Sequence, residues 1–196
     1  MFKQTTETRV AAFFADGLEE CEGLVVRDVL YRAGIPVDVV SITPSHEVTS
    51  SREVTIRCDR SIADEGFSFD DYDVLFLPGG MPGTKNLAAC RPLCDALVRL
   101  AGQGKLLAAV CAAPSVLAEL GLLKGRRATS NPNFQQVLEE NGATGVHDDV
   151  AEDGNVLTSK GLGTSLELGL ALVGRILGPE DVERVKRGIV YRGVEG

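Results

Sequence analysis

Short apolar runs alternate with amphipathic segments along the whole chain of 196 residues. The apolar runs predict buried strands, which fall at 9–15, 37–42, 72–80, 106–110, 126–130 and 155–159. The amphipathic segments predict helices, which fall at 22–34, 91–104, 114–120, 133–142, 163–178 and 179–188. A further alternating run at 53–59 is typical of an edge strand or a hairpin. This order predicts an α/β fold with a mostly parallel sheet and helices on both faces.

Length and composition exclude several classes of protein. A chain of this length suits one domain, residues 1–196, and no linker, repeat or low-complexity tract divides it. The formal charge of −8 disfavours binding to nucleic acids and to anionic membranes, which both attract basic surfaces. The N-terminus lacks the apolar core of a signal peptide, and no apolar run approaches the roughly 18 residues of a membrane span. We therefore expect a soluble cytoplasmic protein without nucleic-acid or membrane partners.

The cysteines do not follow the pattern of a disulfide scaffold or a zinc site. Their number is odd and their spacing is irregular: Cys21, Cys58, Cys90, Cys94 and Cys111. The chain has only two histidines, and neither forms a ligand cluster with a cysteine. We therefore expect reduced thiols, no metal and no cofactor.

Cys111 stands at the corner between a predicted strand, 106–110, and a predicted helix that begins at Pro114. In α/β sheets the ligand site lies beyond the carboxyl ends of the strands. A residue at a sharp strand-to-helix turn projects its side chain there, as the serine of a nucleophile elbow does. A helix N-terminus also stabilises a thiolate and lowers the thiol pKa. The position therefore favours Cys111 as a nucleophile over the alternative, a small buried hydrophobe.

Backbone donors near the same edge complete an oxyanion hole. The N–H of Ala112 would point to the space in front of the cysteine. The glycine pair Gly79–Gly80 ends a neighbouring strand and would present a second N–H. Two N–H groups aimed at one point stabilise a developing negative oxygen.

The residues offer several candidates for the proton carrier. Glu19, Glu20 and Glu22 follow the first strand and open a helix, where acidic side chains complement the helix dipole. The pattern does not say which of them turns inward. His46 and His147 lie in polar loops, and the sequence places neither beside the cysteine.

Seven segments resemble the DJ-1 group of the DJ-1/ThiJ/PfpI superfamily in order and spacing: LEECEG, VLYRAGIPV, SREVTI, YDVLFLPGGMPGTKNL, AAVCAAPSVLAELGLL, LTSKGLGTSLELGLALV and VERVKRGIVYRG. The resemblance implies a single flavodoxin-like domain and a homodimer. It implies that Cys111 is a redox-sensitive nucleophile and that Glu22 is a protonated carboxyl hydrogen-bonded to it. It also implies that Gly80 and Ala112 supply the oxyanion donors and that Arg52 reaches the site across the dimer.

The sequence departs from this family pattern at three places. Asn131, in TSNP, replaces the active-site histidine, and an amide can bind a carbonyl but cannot transfer a proton near neutral pH. Leu162, in KGLG, replaces the proline of the family's turn. Cys58 lies one residue after the register of the interface cysteine, which Arg57 occupies, so we assign it no interface role.

Three functions remain open, and the first is favoured. A glutathione-independent glyoxalase, or a deglycase, would use Cys111 to attack a small dicarbonyl such as methylglyoxal and Glu22 to move the proton. Asn131 would at most orient the substrate. Alternatively, a redox sensor or chaperone would oxidise Cys111 to a sulfinic acid. A hydratase or amidase is a third use of the scaffold. A PfpI-type protease is disfavoured because Ala112 stands where such members carry histidine.

Overall fold

The structure, a computed structural model, describes residues 2–193. The strands, in chain order, are β1 Val10–Phe14, β2 Val37–Ser41, β3 Glu47–Thr49, β4 Thr55–Arg57, β5 Arg60–Ser61, β6 Val74–Leu77, β7 Leu106–Val110, β8 Arg127–Ala128, β9 Thr144–Gly145, β10 Val150–Asp153 and β11 Val156–Ser159. The helices are α1 Glu20–Ala33, α2 Gly83–Ala89, α3 Arg91–Gly102, α4 Pro114–Glu119, α5 Pro132–Glu140, α6 Ser165–Leu177 and α7 Pro179–Gly188, with short 3-10 turns at Phe69–Asp71 and Leu162–Thr164.

Seven strands form the main sheet in the order β10-β11-β7-β6-β1-β2-β5. The β10 strand runs antiparallel to β11, and the other neighbours are parallel. The prediction of a mostly parallel α/β sheet is therefore confirmed. Because parallel strands end at one edge, the loops after β1, β6, β7 and β11 meet beyond the middle of the sheet.

Helices cover both faces of the sheet and bury an apolar core on each. Helices α1, α6 and α7 pack over one core, and α2, α3, α4 and α5 pack over the other. Along β1, Val10, Ala12 and Phe14 face the first core, whereas Ala11 and Phe13 face the second. Burial on both faces explains why such strands appear in the sequence as continuous apolar runs.

Several short elements differ from the predictions. The predicted strand 126–130 is reduced to β8, which pairs with β9 outside the main sheet. The alternating run 53–59 forms β4 of an antiparallel hairpin with β3. The sequence did not predict β3, β5, β9, β10 or α2. Among residues 2–193, each helix is too short or too polar to cross a lipid bilayer.

Candidate active site

Cys111 follows β7 and adopts a strained backbone conformation. Its φ is +63°, in the left-handed region that non-glycine residues rarely occupy. The Cys111 N–H donates to the Ser159 carbonyl at 2.9 Å, and the Asn131 N–H donates to the Cys111 carbonyl at 2.9 Å. Neighbouring strand ends thus hold this residue from both sides. The side chain is half-buried at the carboxyl edge of the sheet, which is the corner geometry of a nucleophile elbow.

Glu22 turns inward from the first turn of α1. The helix is capped by the preceding Glu19, whose carboxylate accepts the Glu22 N–H at 2.7 Å. Glu19 is therefore occupied as the cap of the helix, whereas Glu22 is buried, with only 2% of its surface exposed. The Gly79 N–H donates to Glu22 Oε2 at 3.0 Å. A Cβ on Gly79 would lie 2.6 Å from both that oxygen and the Cβ of Cys111, so the approach requires glycine.

Burial raises the pKa of Glu22 from its ordinary value of 4.5 to about 7, and the charge of Glu19 adds to the rise. Hydrogen bonds from the Cys111 thiol and from the Gly79 and Leu162 N–H groups partly oppose this shift, because they favour the ionised carboxylate. Near neutral pH the carboxyl group is therefore populated in both forms. That property suits a group that must both accept and donate protons.

The Cys111 thiol is not acidified as the corner position predicted. Burial raises its pKa to about 12, the Glu22 carboxylate adds to the rise, and the Gly80 and Ala112 N–H groups oppose it. The first regular residue of α4 is Pro114, and this helix has only six residues, so its dipole is a minor influence. Cys111 is therefore a protonated thiol that lies beside the Glu22 carboxyl group, since a Cβ built on Gly161 would lie within 4.0 Å of both Cys111 Sγ and Glu22 Oε1.

Two backbone donors converge on the sulfur from different strand ends. The Gly80 N–H comes from the loop after β6, and the Ala112 N–H comes from the corner after β7. Gly80 has a φ of +90°, and a Cβ there would collide with the backbone of Glu19. The close fit of the two loops thus depends on glycine at this position.

Two further predicted site residues make other contacts. Asn131 lies beside the corner through its backbone, but its side-chain oxygen accepts the Asn133 N–H at 3.1 Å and caps α5. Arg52 lies exposed in the loop of the β3–β4 hairpin, and its guanidinium donates to the Ser51 carbonyl at 3.3 Å. Neither side chain is directed to the Cys111–Glu22 pair by these contacts.

The structure also assembles contacts that sequence reasoning missed. The loop after β11 borders the site, because a Cβ built on Gly161 would lie 3.7 Å from Glu22 Oε1 and 4.0 Å from Cys111 Sγ. At the start of α1, the side-chain oxygen and sulfur atoms of Glu19, Glu20 and Cys21 that could bind a metal ion lie within 4.8 Å of one another. The carboxylate of Glu19 is already engaged as the helix cap, and we interpret this group as part of the N-terminal cap.

Both the sequence and the fold of this chain are similar to those of known proteins. The profile of the DJ-1/PfpI family matches residues 8–175. The protein dj-1beta of Drosophila melanogaster is 38% identical over 176 residues, 90% of this chain and 93% of the relative. The glutathione-independent glyoxalase DJR-1.2 of Caenorhabditis elegans is 32% identical over 162 residues, 83% of this chain and 84% of the relative. The crystal structure of Drosophila DJ-1beta matches with a TM-score of 0.86 at 36% identity, over 94% of this chain and 98% of that chain.

Proposed function

From the premise that this chain belongs to the DJ-1 group of the DJ-1/PfpI family, we propose that it is a glutathione-independent glyoxalase that converts methylglyoxal to lactate. The observation that carries the proposal is the close approach of Cys111 and the buried Glu22, whose carboxyl has a pKa of about 7. The similarity to a nematode protein named for this activity supports the same assignment.

In the first step, Glu22 acts as the base for Cys111. The thiol proton passes to the Glu22 carboxylate while the sulfur forms a bond with the aldehyde carbon. The aldehyde oxygen becomes negative and is stabilised by the N–H groups of Gly80 and Ala112. Glu22 then returns the proton to this oxygen, which gives a hemithioacetal and restores the carboxylate. Concerted proton transfer removes the need for a free thiolate with a low pKa.

In the second step, the same carboxylate moves a proton between neighbouring carbons. Glu22 takes the proton from the former aldehyde carbon, and an enediolate forms. It then donates the proton to the adjacent carbon, while the hydroxyl proton on the former aldehyde carbon passes to the neighbouring oxygen, which leaves a lactoyl thioester on Cys111. Water hydrolyses the thioester, releasing lactate and the thiol. Overall, methylglyoxal and water give lactate and a proton, so the reaction needs no external oxidant or reductant.

We expect this turnover to be slow. Each well-placed acid or base contributes about 10²–10⁴-fold to an enzymatic rate. The proposed site has one such group, Glu22, because the amide of Asn131 cannot transfer protons near neutral pH. The same attack by Cys111 on a carbonyl adduct of an amine would underlie a deglycase activity. Reduced thiols of this kind fit a reducing compartment such as the cytoplasm.

A redox-sensing role is the second candidate, favoured by the N–H groups of Gly80 and Ala112 that face the sulfur. Peroxide would transfer one oxygen to Cys111 and leave as water, giving a sulfenic acid, and a second peroxide would give the sulfinic acid. Protonated Glu22 would donate a hydrogen bond to the sulfinate. Mass spectrometry after mild peroxide treatment tests this role, and equal oxidation of Cys21 and Cys111 would contradict it.

We also propose that the protein acts as a homodimer, as the family resemblance implies. Arg52 is exposed on the β3–β4 hairpin and would be offered to the site of a second copy. Sedimentation equilibrium tests the assembly. An Arg52→Ala variant that keeps wild-type kinetics would remove this arginine from the proposed site.

The first experiment is lactate formation from methylglyoxal without glutathione, in buffer free of primary amines and thiols. Wild type is compared with Cys111→Ser, which should have no turnover above background. Cys21→Ser is the matched control at an exposed cysteine and should retain the wild-type rate. If wild type does not exceed Cys111→Ser, the glyoxalase proposal fails and the redox role takes its place.

A further inference from the structure

Two glycines border the Cys111–Glu22 pair from opposite sides, because β7 lies between β6 and β11 in the sheet. A Cβ built on Gly79, after β6, would lie 2.6 Å from both Glu22 Oε2 and the Cβ of Cys111, so this side is closed. A Cβ built on Gly161, after β11, would lie 3.7 Å from Glu22 Oε1 and 4.0 Å from Cys111 Sγ. These are ordinary contact distances. The Gly161 side therefore has a free space about the size of one methyl group.

This free space touches the two reactive side chains. The three heavy atoms nearest to its centre, apart from Gly161 and its chain neighbours, are Glu22 Oε1 and the Cβ and Sγ of Cys111. A substrate group that fills the space is therefore in contact with both the nucleophile and the proton carrier.

The fold itself does not require glycine at position 161. The backbone there is extended, with φ 162° and ψ −162°, a conformation that residues with side chains also adopt. The Gly161 N–H donates to Thr164 Oγ1 at 3.2 Å, and its carbonyl accepts the Thr164 N–H at 2.9 Å and the Ser165 hydroxyl at 3.1 Å. These bonds hold the backbone in place, so a side chain at this position would project into the free space.

The dimensions of the space match one part of the proposed intermediate. In the hemithioacetal of methylglyoxal on Cys111, the methyl carbon is three bonds from the sulfur. In the extended form of such a chain, this carbon lies about 4 Å from the sulfur. The centre of the free space lies at the same distance, 4.0 Å, from Cys111 Sγ.

We propose that Gly161 determines substrate specificity by leaving room for the one-carbon substituent of a 2-oxoaldehyde. This inference rests on the proposed glyoxalase function and names its substrate class. A methyl group in the space replaces water there and packs against Gly161. An alanine at this position would occupy the same space with its own methyl group and exclude the substituent.

The test compares two substrates that differ in that carbon. Values of kcat/KM are measured for methylglyoxal, as lactate formed, and for glyoxal, as glycolate formed. In Gly161→Ala we expect the ratio of the two values to fall about 10–100-fold, the usual effect of one carbon in a pocket. Gly163→Ala is the matched control, because a Cβ on Gly163, in the same loop, would meet open space. Its ratio should equal that of wild type.

An unchanged ratio in Gly161→Ala would overturn the proposal, as would equal changes in the two alanine variants. The wild-type protein supplies a test that needs no variant. Chloroacetone alkylates a thiol and leaves a methyl carbon three bonds from the sulfur. In a crystal structure of wild type alkylated at Cys111, this methyl should lie against Gly161, and a methyl directed away from Gly161 would contradict the proposal.

Alkylation rates give a readout that needs no turnover. Chloroacetaldehyde has the same reacting carbon as chloroacetone but lacks the methyl group, and with both reagents the sulfur displaces chloride while the thiol proton passes to the buffer. Gly161→Ala should slow the reaction of Cys111 with chloroacetone about tenfold more than that with chloroacetaldehyde. The exposed Cys21 should react as in wild type with both reagents.

The two assays separate the two proposals. A selective loss of the chloroacetone reaction in Gly161→Ala supports the role of Gly161 even if wild type forms no lactate, in which case only the glyoxalase function fails. Lactate formation by wild type without any selective effect of Gly161→Ala overturns the role of Gly161 and leaves the glyoxalase function intact.

Discussion

Cys111 and Cys58 lie in different surroundings, although burial raises the pKa of each thiol to about 12. Cys58 follows the hairpin strand β4 and is 3% exposed. The charges of Asp59 and Asp16 raise its pKa further. At Cys111, N–H groups oppose the rise, and the added negative charge comes from Glu22, which takes up a proton near neutral pH. Burial and the charges of two aspartates keep the Cys58 thiol protonated, whereas the negative charge beside Cys111 disappears when Glu22 takes up a proton.

Glu22→Gln is the substitution that most sharply separates the two cysteines. We expect lactate formation to fall by about 10²–10⁴-fold, because the variant has no proton carrier. Alkylation of Cys111 by iodoacetamide should rise about tenfold or more, because loss of the negative charge lowers the thiol pKa. Rates of both reactions are measured at one pH.

Cys58 is the internal reference for this experiment. Its alkylation should not change in Glu22→Gln, because its raising charges come from other carboxylates. If lactate formation and Cys111 alkylation fall together, Glu22 supports the fold of the corner and not the proton transfer.

The stability of the protein should fall as the pH rises from 4.5 to about 7, the ordinary and the folded pKa of Glu22. In this window the folded state holds a proton that the unfolded state has released, so the free energy of unfolding decreases with pH. The total effect is about 3 kcal/mol, and it is fully developed above neutral pH. Urea unfolding of wild type and Glu22→Gln across this range should show the difference between them changing by that amount.

Glu65→Gln, at an exposed carboxyl, is the control and should follow wild type throughout. If Glu22→Gln also follows wild type, Glu22 is not desolvated in solution, and the contrast between the two thiols loses its basis.

The smallest expected effect belongs to Asn131. Asn131→Ala removes the side-chain acceptor at the start of α5 and should lower the free energy of unfolding by about 1 kcal/mol. Turnover should stay at the wild-type value because the side chain is occupied as a cap. Asn131→Ser keeps an acceptor and should recover most of the stability. A marked rise in KM in both variants would instead assign Asn131 to the substrate.

The sequence best predicts the strands and helices in which buried apolar residues recur throughout the element. The β7 strand lies at 106–110 as expected, and α7 at 179–188, because every residue of such elements carries the pattern. The β5 and β9 strands have two residues each and exist through pairing with distant partners. The α2 helix follows the glycine- and proline-rich stretch 78–82, which in isolation indicates a turn.

The candidate site likewise combines features that the sequence reveals with features that depend on contacts in the folded protein. Cys111 is recognisable because its residue type and its place after a strand are both visible in the sequence. The inward turn of Glu22 depends on the use of Glu19 as the helix cap, which the order of the glutamates alone does not reveal. The direction of the thiol pKa was wrong because burial and the nearby carboxylate outweigh a short helix.

The positive φ of Cys111 has a consequence for the history of this position. A glycine there would relieve the strain of a left-handed backbone, which costs a side chain about 1–2 kcal/mol. Selection for a durable fold alone would therefore replace the cysteine and erase its chemistry. A laboratory screen for heat resistance should drift in that direction, whereas a lineage that retains the sulfur at this corner is under selection for what the sulfur does.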